Sequence, residues 1–69
     1  MKFDSSEVWA VKKALKEMYA DGVPQSMYSE AYDSIHLTSD GGMLVDESTL
    51  GGGRLAEMAC CVLYEESGE

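Results

Sequence analysis

Residues 34–47 read SIHLTSDGGMLVDE, and their conformation decides whether the chain is all-helical or mixed. A three-residue loop Ser39-Asp40-Gly41, with Gly41 in the left-handed position, makes this stretch a β-hairpin. It pairs Thr38 with Gly42, Leu37 with Met43 and Ile35 with Val45. Ile35, Leu37, Met43 and Val45 then share one face, which a two-residue Asp-Gly turn would not achieve. An isolated hairpin is barely stable in water, so this one needs helices to pack on.

Helices are readable on both sides of it. Asp4 fits an N-cap with Glu7 at the capping-box spacing, and Phe3 and Val8 occupy the positions of a hydrophobic staple. Val8, Val11, Leu15, Met18 and Tyr19 then follow helical periodicity. Gly22 suits the left-handed position after a helix, Val23 can fold back on Met18, and Pro24 bars continuation. The spacing predicts a helix over about residues 5–21. On the other side, Leu55, Met58, Ala59 and Val62, extended by Leu63, predict a second long helix over residues 54–66. Between the first helix and the hairpin, residues 25–33 (QSMYSEAYD) place Met27, Tyr28, Ala31 and Tyr32 on one face of a short helix. They also alternate well enough for a third strand; helix is preferred. The resulting fold class is α+β: two main helices, N- and C-terminal, packed on a β-hairpin.

The chain has 69 residues, 45% of them hydrophobic. That suffices for one compact domain, 1–69, near the lower size limit for a self-sufficient core, and makes a homodimer or partner a natural supplement. The N-terminus carries no signal-peptide pattern and no apolar run approaches a membrane span, which predicts a cytoplasmic protein. The only cysteines, Cys60 and Cys61, are sequence neighbours and cannot close a stabilising loop.

Formal charge is −8, and it is unevenly distributed. Residues 1–16 carry a net +2, whereas residues 17–69 carry −10, with Arg54 the lone cation. Such acidity disfavours direct nucleic-acid or membrane contact and favours a basic protein partner. The plainer alternative is that the acids keep a small protein soluble. Glu30, Asp33, Asp40, Asp46, Glu47, Glu57, Glu65 and Glu66 are the candidate partner-binding acids. Carboxylates held at intervals of about 5–6 Å on ordered elements can stand where a basic channel expects phosphates.

Motifs for chemistry are weak. The triplet Gly51-Gly52-Gly53 matches neither GxxxxGK[ST] nor GxGxxG, and Asp46, Glu47 and Glu57 flank it. It reads as a turn from hairpin into helix rather than an anion cradle. Cys60 and Cys61 read as small, moderately buried side chains straddling the helix stripe, because zinc needs four spaced ligands. His36 lies opposite Ile35 and Leu37 with no partner spacing for acid–base work, and the aspartates miss the calcium-loop pattern. The chain therefore reads as non-enzymatic, with no catalytic residues, metal or cofactor.

Trp9 is the other candidate. On the first helix it falls roughly 130° from a core centred between Val11 and Val8, flanked by Lys12, Lys13 and Lys16. It either packs on the hairpin or on Tyr28 and Tyr32, or serves as an exposed anchor for self-association or assembly against an acidic face. A winged helix-turn-helix would need residues 25–33 to read DNA, and they contain no Lys or Arg.

In size and in the −10 balance after Lys16, the chain resembles the small anti-CRISPR proteins encoded by phages and mobile elements. The resemblance implies a stoichiometric inhibitor that binds a CRISPR effector subunit in the host cytoplasm and competes with DNA. The Lys12/Lys13/Lys16 cluster departs from a uniformly negative mimic.

Overall fold

The computed structural model describes residues 1–67. It has the α+β architecture, with elements β1 (Lys2–Phe3), α1 (Val8–Ala20), α2 (Gln25–Asp33), β2 (Ile35–Leu37), β3 (Met43–Val45) and α3 (Leu50–Ser67). The hairpin has the register expected from its loop: Ile35 opposite Val45, His36 opposite Leu44 and Leu37 opposite Met43, with Gly41 at φ +86°. Residues 25–33 take the helical alternative, as α2. A third strand does exist, but at the N-terminus rather than at 25–33. β1 pairs antiparallel with β3, Lys2 opposite Leu44 and Phe3 opposite Met43, giving the sheet order β1-β3-β2.

That strand explains why α1 starts at Val8 and not at residue 5. Phe3 is drawn into the sheet and buried, so residues 5–7 form a turn instead of a first helical turn. The capping box forms in part: Glu7 Oε1 accepts the Asp4 N–H at 3.1 Å, while the Asp4 carboxylate turns to the Ser6 N–H at 3.0 Å. At the other end, the Val23 N–H donates to the Met18 carbonyl (3.3 Å) and the Gly22 N–H to the Tyr19 carbonyl (3.2 Å). With Gly22 at φ +75°, this is a Schellman closure.

α3 packs against both α1 and α2, and its start corrects the sequence reading. The glycine triplet lies inside the helix, which begins at Leu50, not in a turn before Arg54. Gly51 and Gly52 are buried because α2 and the β3–α3 connection press on them. A Cβ on Gly51 would stand 2.5 Å from the Met27 carbonyl oxygen and 2.8 Å from the Ala31 nitrogen. One on Gly52 would run into the Asp46 carbonyl and sit 2.6 Å from Ser34 Oγ.

The same close approach marks the α1 interface. Its buried positions are Ala10, Val11, Ala14 and Met18, and those of α3 include Leu55, Ala56, Ala59 and Val62. Counting the alanines turns the core of α1 by roughly 75° from its expected centre and leaves Trp9 about 155° away from it. Phe3, Val11, Met18, Val45 and Leu55 are the largest fully buried side chains. Leu37, assigned to the inner face, overhangs the sheet at 79% exposure. No helix among the described residues is long and apolar enough to cross a membrane.

Candidate protein-docking site

The solvent side of α3 carries the most developed concavity. With Leu55, Ala56, Ala59 and Val62 buried, Glu57, Cys60, Cys61, Tyr64 and Glu65 recur at helical spacing on the outside. They line an open groove of about 860 Å³. Its floor is apolar, built from Met1, Gly53, Ala56, the two cysteines and Tyr64; its rim carries Glu47, Glu57 and Glu65. Tyr64 is 77% exposed.

Met1 reaches the groove because β1 runs beside β3. The Val45 N–H donates to the Met1 carbonyl at 2.8 Å, and the N-terminal ammonium donates to the Val45 carbonyl at 2.7 Å. That ammonium lies 3.9 Å from Glu47. The Cys60 thiol donates to Met1 Sδ at 3.3 Å. Burial pushes the Cys60 thiol above the ordinary range, followed by the neighbouring Cys61 when it ionises and by the carboxylates of Glu47 and Glu7. Glu47 and Glu7 thus add negative potential at Cys60, and the N-terminal ammonium opposes it. Cys60 and Cys61 are both exposed, which corrects the expectation of partial burial.

Asp46 extends the acidic rim. It shares a neighbouring depression with Met1, Glu47, His36 and Leu44. Its carboxyl is held below the usual carboxylate range by the Ser48 N–H (3.0 Å), with the Ser48 hydroxyl next. On the other flank, Glu57 also lines a depression with Arg54 and Leu50.

The eight candidate acids therefore do not form one face. Asp46, Glu47, Glu57 and Glu65 gather on and beside the groove. Glu30 is half-buried and engaged within the fold: its Oε1 accepts the Gly51 N–H at 2.6 Å, at the start of α3. Thr49 Oγ1 accepts the Gly52 N–H at 3.0 Å, and Ser34 Oγ lies 3.2 Å from that hydroxyl oxygen. The glycine-rich helix start does hold an anion, and the anion is the chain's own carboxylate. Asp40 closes the hairpin loop, bonded to the Thr38 hydroxyl, to Lys2 Nζ (3.0 Å) and to the Gly42 N–H (3.2 Å). Glu66 lies 3.9 Å from Lys13 Nζ across α1 and α3. Asp33 stands exposed at the last position of α2.

Trp9 is 43% exposed, with Lys12, Lys13 and Lys16 exposed around it. Sequence reasoning missed Met1, Ala56 and Tyr64. The complement of the buried α3 stripe was a usable signal for Tyr64, and the i, i+4, i+8 run Ala56, Cys60, Tyr64 for Ala56; Met1 had none.

Chemically, the groove offers apolar contact and anionic hydrogen-bond acceptors. Among the described residues, no group of three or more His, Cys, Asp or Glu side chains is arranged to hold a metal ion. The chain matches no protein-family model, no curated protein and no solved structure.

Proposed function

We propose that the protein is a non-enzymatic inhibitor. Its α3 groove docks on a basic protein subunit of a nucleic-acid-handling complex, of the CRISPR effector type, and competes there with DNA. One observation carries this reading: Glu47, Glu57 and Glu65 rim a single apolar groove, with Asp46 adjoining. An apolar floor supplies contact area, and the rim selects for Lys and Arg while repelling anionic competitors. Glu57 and Glu65 are two helical repeats apart, about 12 Å along the axis. That corresponds to the rise of roughly three to four base pairs, so the rim spans a length that a phosphate-reading surface can meet.

The test is a competition. Fluorescein-labelled target DNA is bound to a purified CRISPR effector complex, and the protein is titrated in at low and at high salt. Displacement at low salt, weakened at high salt and abolished by Glu57→Lys with Glu65→Lys, supports the reading. Lack of displacement by the wild-type protein, or full displacement by the reversed variant, refutes it.

A further inference from the structure

We infer that a second copy of this chain also fills the α3 groove: Trp9 of each protomer enters the groove of the other, closing a two-fold dimer. The inference rests on the reading of the groove as an acidic docking site and names one occupant for it.

The two surfaces are complementary in shape and charge. Trp9 projects from the side of α1 opposite the core, 43% exposed, with Lys12 and Lys16 at i+3 and i+7 beside it. The groove presents the converse, an apolar floor within carboxylates, and its 860 Å³ is ample for an indole. A chain of net charge −8 repels its own copies over most of its surface. Four of its five Lys and Arg side chains lie in residues 1–16, and three of them flank Trp9, so a productive approach between copies is α1 against the acidic rim. Trp is also the side chain most often found as the energetic anchor of an interface.

Patch and groove are carried by two helices, α1 and α3, that pack directly on each other. Lys13, beside Trp9, sits 3.9 Å from Glu66, the neighbour of the rim residue Glu65. Carried on packed helices, a patch and its complement allow a two-fold exchange in which each protomer gives and receives one Trp9. Distant patches would instead make open chains.

Sedimentation equilibrium over a concentration series tests this directly. The wild-type mass should rise from 7.5 kDa toward twice that value at about 0.15 M salt, where the long-range repulsion of the two net charges is screened, and fall back at high salt. Trp9→Ala, with its circular-dichroism melting curve confirming an intact fold, should weaken self-association by about thirtyfold or more. Lys12→Glu with Lys16→Glu should be monomeric alone, as should Glu57→Lys with Glu65→Lys. An equimolar mixture of these two charge variants should restore the dimer, because the reversed α1 patch then faces the reversed groove and the native lysine patch faces the native acidic one. A wild-type protein monomeric throughout the series, or a mixture that stays monomeric, overturns the exchange. Monomers that still displace DNA in the competition assay would sink the exchange and leave the docking reading standing. A dimer without displacement would do the reverse.

Discussion

The three consecutive glycines should respond to alanine with opposite signs. Gly51 faces the backbone of α2: relieving a Cβ–oxygen separation of 2.5 Å to an ordinary 3.4 Å requires α2 to retreat by about 0.9 Å. Backbone atoms cannot rotate aside, so the whole interface must open, and the 2.6 Å bond from the Gly51 N–H to Glu30 goes with it. Overpacking of this kind costs about 1–3 kcal/mol, and the stretched charged hydrogen bond adds to that. Alanine's better helix propensity returns under about 1 kcal/mol. The net loss for Gly51→Ala is therefore about 2 kcal/mol, and Gly52→Ala, against the Asp46 carbonyl, should lose at least as much. At Gly53 the nearest atom to a new Cβ is the Glu47 carbonyl oxygen at 3.5 Å, an ordinary contact. Only the propensity gain remains there, so Gly53→Ala should stabilise by about 0.5 kcal/mol. Urea denaturation followed by circular dichroism reads all three. Wild-type stability in Gly51→Ala and Gly52→Ala, or a loss above about 1 kcal/mol in Gly53→Ala, would refute the close approach of α2 to the start of α3.

Two further perturbations address the carboxylates that the fold has taken for itself. Glu30→Ala removes a charge-assisted cap and should lower stability by about 2 kcal/mol, with Glu30→Gln losing about half as much; a thermal melt shifts by roughly 4–8 °C per kcal/mol at this size. The Asp40 carboxyl is held well below the usual carboxylate range by Thr38 first, then Lys2 and the Gly42 N–H. Because its folded value is depressed, its contribution is complete above about pH 4 and is lost as the pH falls through the lowered value. Asp40→Asn should accordingly flatten the fall in urea midpoint below about pH 4, and an unchanged acid limb would contradict the assignment.

What the sequence disclosed depended on how local the deciding interactions were. The hairpin register was legible because Gly41 and the alternation of Ile35, Leu37, Met43 and Val45 lie within eleven residues. The end of α1 was legible for the same reason: Met18, Gly22 and Val23 close it on themselves. β1 was not, since two residues carry no period and its pairing with β3 is made some forty positions away. The start of α3 was hidden by propensity. Three glycines argue against a helix, and what overrides them is the Glu30 carboxylate, 21 residues upstream, together with the backbone of α2. Remote partners also decided which acids stayed available. Glu57 and Glu65 could be placed together from spacing alone, whereas the capture of Asp40 by Lys2 spans 38 residues.

The distribution of side-chain sizes connects this packing to the docking surface. Small residues occupy the helix interfaces: Ala10 and Ala14 on α1, Ala31 on α2, and Gly51, Gly52, Ala56 and Ala59 on α3 are all buried. Helices joined through such residues approach closely, and the molecule is correspondingly thin, 30 × 30 × 16 Å. A slab of that thickness has little interior in which to hide bulky groups. Phe3 is the one aromatic side chain that is fully buried, while Trp9, Tyr19, Tyr32 and Tyr64 stand 43–77% exposed. Single exposed apolar groups are ordinary. Here, however, alanines fill the core while aromatics remain outside, so the apolar area that would stabilise a thicker domain lies on the surface, beside charge of both signs. Under the proposed docking, burial against another macromolecule would recover that area. Tyr64 with its carboxylates and Trp9 with its lysines are the two places where the recovered area would come with electrostatic selectivity.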